Sequence, residues 1–262
     1  MLNRESWGAN MKQAVIGVAL VATLALSGCT ARQSVKPAGQ IDLVIDGTGR
    51  MPADADEQKV LDAVKMIAAG KIQLAVDGPL TEVIGKYEAR YAGKPVKVFC
   101  AEGVADGLIY AALGQKTATS GAVEVLGPAW AKAYWARGYA YDEMARYDDA
   151  RRELDKALAL APMNSQYKSE LAYVYLRKGD WKKSLELYRD AVDDASISGA
   201  GGPAEVTSLQ CKALRGQGYT LVELHRLDDA AAAYKACLKL EPGEPKSLGE
   251  LGYIDGLRAK SH

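Results

Sequence analysis

Residues 138–191, GYAYDEMARYDDARRELDKALALAPMNSQYKSELAYVYLRKGDWKKSLELYRDA, decide the fold because they contain one pattern twice. Ala157 returns as Ala191, 34 residues later, and again as Cys237 after a further 46 residues. The difference between the two intervals places a 12-residue insertion near residues 196–204. A fixed period of this length predicts stacked helical repeats, each of which buries its apolar face against the next.

The three copies resemble the tetratricopeptide repeat family. Small residues recur where two antiparallel helices approach closely, and large residues fill the spaces beside them. Proline ends the first and third copies, because it cannot continue a helix. The residues that carry the resemblance are Gly138, Tyr141, Tyr147, Ala150, Leu154, Ala157 and Pro162 in copy one, Leu171, Ala172, Tyr175, Trp181, Ser184, Tyr188 and Ala191 in copy two, and Leu214, Gly218, Ala230, Tyr234, Cys237 and Pro242 in copy three.

The resemblance implies a mainly α fold, a tetratricopeptide-repeat solenoid of about three repeats over residues 129–262. Residues 245–260 repeat the start of a unit and are expected to form a C-terminal capping helix with a polar outer face.

Residues 41–128 precede the repeats as a small, mostly helical or mixed α/β region. Apolar spacing predicts helices over residues 54–69 and 80–91. Residues 95–100 and 122–126 are typical of short strands and are expected to pair as a β-hairpin, although residues 105–113 between them read as a helix. Two interpretations stay open, a degenerate repeat pair that extends the solenoid and a small α/β cap.

Residues 11–29, MKQAVIGVALVATLALSGC, are typical of a bacterial secretion signal. One lysine precedes an apolar run of 13 residues, which is too short for a stable membrane-spanning helix. Residues 1–28 are therefore predicted to be removed, and Met11 is a more typical start than Met1.

The end of this signal, Leu-Ser-Gly-Cys, resembles the bacterial lipobox. The resemblance implies that Cys29 receives acyl chains such as palmitate and anchors the protein to a membrane. Residues 29–40 then form the lipidated cysteine and a flexible tether. In enterobacterial lipoproteins an aspartate directly after the lipidated cysteine favours retention at the inner membrane. Thr30 occupies that position here, so we expect the periplasmic face of the outer membrane.

Composition limits the partners and the chemistry. The 33 basic and 33 acidic residues balance, so no basic excess indicates nucleic-acid binding. In an oxidising compartment cysteines tend to pair. Antiparallel helices would bring Cys211 and Cys237 to the same end of the third repeat, so that they either form a disulfide or remain reduced with Cys100.

The sequence contains no recognisable catalytic, metal or cofactor motif. The two histidines, His225 and His262, are isolated, and no Cys-x-x-Cys pair is present. Asp148-Asp149 and Asp228-Asp229 start equivalent helices, where the helix dipole accounts for them. We therefore expect a non-catalytic protein without a cofactor. The alternative is an envelope enzyme, or enzyme subunit, with activity in residues 41–128 and the repeats as a substrate arm.

The family resemblance implies that the first helix of each repeat lines a groove for a protein or peptide partner. A tyrosine occupies one equivalent groove position in every copy, and it either contacts ligand or packs between repeats. A scaffold role in envelope assembly or a cell-wall process follows. The expected groove residues are Lys132, Trp135, Tyr139, Tyr173, Arg177, Lys212, Arg215 and Tyr219.

Overall fold

A computed structural model describes residues 54–117, 122–198 and 201–260. The predicted signal, Cys29 and the tether lie outside these residues. The described part of the chain is mainly α-helical and contains one two-stranded sheet. None of its helices is both long enough and apolar enough to cross a membrane.

The N-terminal helices coincide with the predicted ones. Asp54 caps the N-terminus of α1 (Ala55–Ala68). Its side chain accepts a hydrogen bond from the backbone N–H of Glu57 at 2.8 Å. The short α2 (Ile72–Ala75) leads into a π-helical turn (Val76–Leu80), which kinks at Gly78-Pro79 before α3 (Thr81–Tyr91). Both α1 and α3 pack against the first repeat helix.

The two predicted strands do pair, but the predicted β-hairpin is wrong. β1 (Lys97–Cys100) and β2 (Val123–Leu126) are parallel, with Lys97 opposite Val123. The helix between them, α4 (Val104–Thr117), returns the chain to the end where β1 began, so β2 runs in the same direction. α4 lies close to the sheet at Gly114, where a Cβ atom would be 2.5 Å from Cγ1 of Val123.

Six helices form three antiparallel pairs, and a seventh follows them. In each pair the turn contains one residue with positive φ, at equivalent positions Ala145, Gly179 and His225. The first helices pack against their own second helices and against the neighbouring repeat. The pairs are α5 (Ala129–Glu143) with α6 (Tyr147–Leu160), α7 (Ser165–Arg177) with α8 (Trp181–Ser198), and α9 (Pro203–Glu223) with α10 (Leu227–Leu240), followed by α11 (Pro245–Lys260).

The 12-residue insertion lengthens two helices. α8 has 18 residues where α6 has 14, and α9 has 21 where α7 has 13. The added part of α8 is attached to α7, because Ser198 Oγ accepts a hydrogen bond from the Ser165 backbone N–H at 3.1 Å and Asp194 pairs with Lys168. α8 also contacts α4 of the β1–α4–β2 unit.

The capping helix α11 is present, and its exposed residues include polar ones, such as Lys246 and Asp255, together with apolar ones. Leu248 is 51% exposed, and Gly249, Gly252 and Gly256 have no neighbouring atom within 4 Å of the Cβ position.

Candidate functional site

The first helices of successive repeats form one continuous layer. α5 contacts α7, α7 contacts α9, and α9 contacts α11. Side chains at equivalent positions of these helices therefore follow one another along a single face of the array.

The predicted tyrosines occupy this face, and the structure adds a fourth. Tyr139 and Tyr173 are half-buried, whereas Tyr219 is 48% exposed. Tyr253 on α11 lies 34 residues after Tyr219 and is 55% exposed. The repeat spacing is the sequence signal for Tyr253, which the prediction of the first three tyrosines does not include. We call these four residues the tyrosine ladder.

The two upstream tyrosines have intramolecular partners. The ring of Tyr139 stacks on Trp135, with 6.3 Å between ring centroids, and Trp135 also stacks on Tyr167 of α7. The guanidinium group of Arg177 donates a hydrogen bond to the Tyr173 hydroxyl at 3.0 Å. These contacts hold the upstream rings in place between repeats.

The two downstream tyrosines differ from the upstream pair. Within the described part of the chain, neither Tyr219 nor Tyr253 stacks on another ring or lies under a cationic group. About half of each side chain is exposed to solvent. The open part of the ladder therefore lies towards α11.

Lys132 joins three parts of the chain instead of standing free on this face. Its ammonium group lies 2.7 Å from Glu57 Oε1 of α1 and 3.0 Å from Glu102 Oε2, which lies between β1 and α4. All three side chains are largely buried, and burial raises the pKa of Glu102 despite the nearby lysine. Lys132 thus attaches the N-terminal helices and the β1–α4–β2 unit to α5.

Lys212 and Arg215 bridge neighbouring first helices in a similar way. Lys212 Nζ lies 2.7 Å from Glu170 Oε1 of α7, and Arg215 Nη1 lies 3.5 Å from Glu244 Oε1 at the start of α11. Three of the four cations predicted for the groove, Lys132, Lys212 and Arg215, are therefore paired with carboxylates of the chain itself, whereas Arg177 contacts Tyr173.

Three buried polar atoms on this face have no hydrogen-bond partner within the described residues. They are Trp135 Nε1, Asp142 Oδ1 and Ser169 Oγ. Burial raises the pKa of Asp142 to about 6, and the negative charge of Glu170 adds to the shift. A donor presented to the Asp142 carboxylate would relieve this unfavourable burial.

The cysteine alternatives resolve into one disulfide. Cys211 of α9 and Cys237 of α10 are bonded, with 4.7 Å between their Cα atoms. Cys100 of β1 is free and buried, and burial raises its pKa to about 12. The disulfide therefore links α9 and α10, the two helices of the third pair.

The described residues contain no group of three or more His, Cys, Asp or Glu side chains placed to hold a metal ion. The arrangement on the first-helix face is one of rings, paired charges and unpaired polar atoms, which suits contact with another polypeptide.

Antiparallel helix pairs stacked at a 34-residue spacing define an α-solenoid repeat protein. The repeats are tetratricopeptide repeats, since residues 135–200 match the sequence profile of that family.

The structure of PilF from Pseudomonas aeruginosa is similar, with a TM-score of 0.53, 13% identity, and coverage of 79% of this chain and 70% of that chain. The N-terminal domain of stress-induced protein-1 from C. elegans has a TM-score of 0.43 and 19% identity over 49% of this chain and 96% of that chain. No curated protein sequence matches the chain. At these identities the likeness concerns the fold.

Proposed function

We propose that this protein is a membrane-anchored, non-catalytic scaffold that binds an extended segment of a partner protein along the tyrosine ladder. The observation that carries the proposal is the tyrosine at one repeat position of all four first helices, with increasing exposure towards α11. A core position would be buried in every repeat, whereas Tyr219 and Tyr253 are about half exposed.

The chemistry of the face suits a polypeptide ligand. Tyrosine rings supply large contact area with little loss of side-chain entropy, and their hydroxyls reach backbone groups. Trp135 Nε1 and Asp142 Oδ1 are buried, so a ligand would contact mainly the exposed parts of Tyr219 and Tyr253. The upstream rings are already ordered by Trp135 and Arg177, so binding there orders few additional groups.

The proposed location is the cell envelope, with the lipid on Cys29 holding the scaffold at the periplasmic face of the outer membrane. The lipobox resemblance motivates this assignment, and the Cys211–Cys237 disulfide agrees with an oxidising compartment. A scaffold there would support an envelope assembly or a cell-wall process.

The ladder is tested by placing a photo-crosslinking amino acid at Tyr219 in living cells. We expect a discrete protein adduct at Tyr219 and none at Lys235, an exposed position on the second-helix layer. The adduct should weaken when Tyr253→Ala is added. Binding along the ladder would be contradicted by an adduct of equal yield at Lys235. It would also be contradicted if Tyr253→Ala left the yield of the Tyr219 adduct unchanged.

The anchor is tested separately with Cys29→Ser. This variant should accumulate as an unprocessed precursor and should incorporate no radiolabelled palmitate. Palmitate recovered on the variant would remove the lipid assignment without affecting the ladder.

The non-catalytic part of the proposal is tested by dividing the chain. A fragment of residues 129–262 should retain the crosslink at Tyr219. Turnover of an envelope substrate by a fragment of residues 41–128 would replace the scaffold with an enzyme whose repeats act as a substrate arm.

A further inference from the structure

α11 begins as a first helix of a fourth repeat would begin. Glu244 caps it by accepting a hydrogen bond from the Ser247 backbone N–H at 2.7 Å. Asn164, 80 residues earlier, caps α7 in the same way through the Tyr167 N–H at 3.0 Å. The interval of 80 residues is the sum of the two repeat intervals, so the two caps are equivalent.

α11 also docks on the preceding repeat as α7 does. Arg258 of α11 pairs with Asp228 in the first turn of α10, and Lys178, just after α7, pairs with Asp148 in the first turn of α6. Arg258 lies 80 residues after Lys178, and Asp228 lies 80 residues after Asp148. Ile254 is fully buried, as is its counterpart Val174. α11 is therefore a first helix in structure as well as in sequence.

In the complete repeats the second helix covers a small residue of the first. A Cβ atom at Gly138 would lie 2.8 Å from Leu154 Cγ, and one at Gly218 would lie 2.6 Å from the Tyr234 ring. The equivalent residue of α11 is Gly252, which has no atom within 4 Å of its Cβ position. Among the described residues, α11 has no second helix over this face.

The uncovered face is apolar at its centre. Leu248 is 51% exposed, and Leu251 is half-buried beside it. Glycine destabilises a helix interior relative to alanine, and here no packing inside the chain requires it. Glycine does permit the close approach of another helix, which is its role at the equivalent position of the first and third repeats.

We propose that the face formed by Leu248, Leu251, Gly252 and Asp255 binds an amphipathic helix of a partner protein, in the place that the second helix occupies in the complete repeats. The chain contains three examples of what this position accepts. Each second helix has a small residue, then a Leu or Tyr four positions later, then Ala or Cys after three more: Ala150, Leu154 and Ala157; Ser184, Tyr188 and Ala191; Ala230, Tyr234 and Cys237. The partner helix carries the same spacing.

A second copy of the chain fits this face less well. The uncovered face of a second copy is itself a first-helix face, so it presents Leu248 and Gly252 and lacks the small–Leu/Tyr–small spacing of the second helices. Its second helices carry the right pattern, but they are already buried against their own first helices. A heterologous helix is therefore the occupant that the packing favours, and it binds independently of the tyrosine ladder.

The test uses the full chain and a synthetic helix as the probe. The peptide has the sequence of residues 227–240 with Cys237→Ala, a lactam staple between exposed positions and a fluorescein label. Fluorescence anisotropy should show saturable binding. Tyr234→Ala in the peptide should weaken it at least tenfold, because this ring fills the space over the glycine in the third repeat.

Variants of the chain assign the surface. Gly252→Leu fills the contact and should weaken peptide binding at least tenfold. Its melting temperature should stay near that of the parent, because nothing lies over this position. Lys246→Leu adds the same side chain to an exposed position elsewhere on α11 and should leave binding unchanged.

Absence of saturable binding, or equal affinity for the Gly252→Leu chain, overturns the proposal. Sedimentation velocity of the parent should give a monomer over the same concentrations. A dimer that Gly252→Leu abolishes would assign the face to a second copy and would also overturn the partner helix.

Discussion

Gly138→Ala measures how closely the two helices of the first repeat approach. The added Cβ would lie 2.8 Å from Leu154 Cγ and 3.2 Å from the Ala150 carbonyl oxygen. The leucine can adjust, but the carbonyl belongs to the backbone of α6, so the helices must separate. Overpacking of this kind costs about 1–3 kcal/mol, and the better helix propensity of alanine returns up to about 1 kcal/mol. We expect a net loss of about 1–2 kcal/mol.

Gly85→Ala is the matched control, because Gly85 is exposed in α3 and has nothing within 4 Å of its Cβ position. It should stabilise the protein by up to about 1 kcal/mol. For a domain of this size, Gly138→Ala should lower the melting temperature by roughly 2–8 °C. Circular dichroism with urea titration measures both variants. If Gly138→Ala stabilises as much as Gly85→Ala, the close contact of α5 with α6 is refuted.

The second repeat explains why the small residue need not be glycine. In the second repeat, Ala172 occupies the position of Gly138, and Tyr188 occupies the position of Leu154. The Tyr188 ring lies against α9 instead, where a Cβ at Gly216 would be 2.2 Å from the ring. The close contact has moved from within the repeat to the next repeat, which leaves room for a methyl group.

Four further predictions follow from the contacts described above. Lys132→Met should destabilise the fold by about 3–5 kcal/mol in urea titration, because it leaves two buried carboxylates without a cation; a loss below about 1 kcal/mol would contradict the buried pairing. The pKa of Asp142 is raised to about 6, so ionisation costs stability as pH rises through that value, and Asp142→Asn should raise the melting temperature at pH 8 but not at pH 4. Reduction of the Cys211–Cys237 disulfide, which spans 26 residues, should cost about 3 kcal/mol, and the Cys211→Ala/Cys237→Ala double variant should not respond to reductant. Gly179→Ala forces alanine to φ near 78° and should cost about 1 kcal/mol by thermal melting, whereas a neutral result would place the turn elsewhere.

The repeat array and its ladder could be derived from the sequence because they depend on periodicity. Equivalent residues of a stacked array occupy equivalent places, so the spacing from Tyr139 to Tyr173 and Tyr219 locates one face. The same reasoning extends to Tyr253. It places the rings on a common face, but it does not say how far each one is covered.

The N-terminal region could be derived only in part. The helices α1 and α3 and the two strands follow from local apolar patterns. The parallel pairing does not, because strand direction depends on where α4 carries the chain, and four-residue strands contain too little pattern to specify it.

The sequence by itself determined the repeat spacing, the positions that need small residues and the types of its elements. Tertiary structure decided which polar side chains pair. Lys132, Lys212 and Arg215 all read as groove cations, yet each is paired with a carboxylate from a segment 29 to 75 residues away. Tertiary structure also decided that none of the described residues covers α11 at Gly252. The physical reason is that local pattern reports the apolar face of an element, whereas charge pairing and exposure depend on which other elements the fold brings to that face.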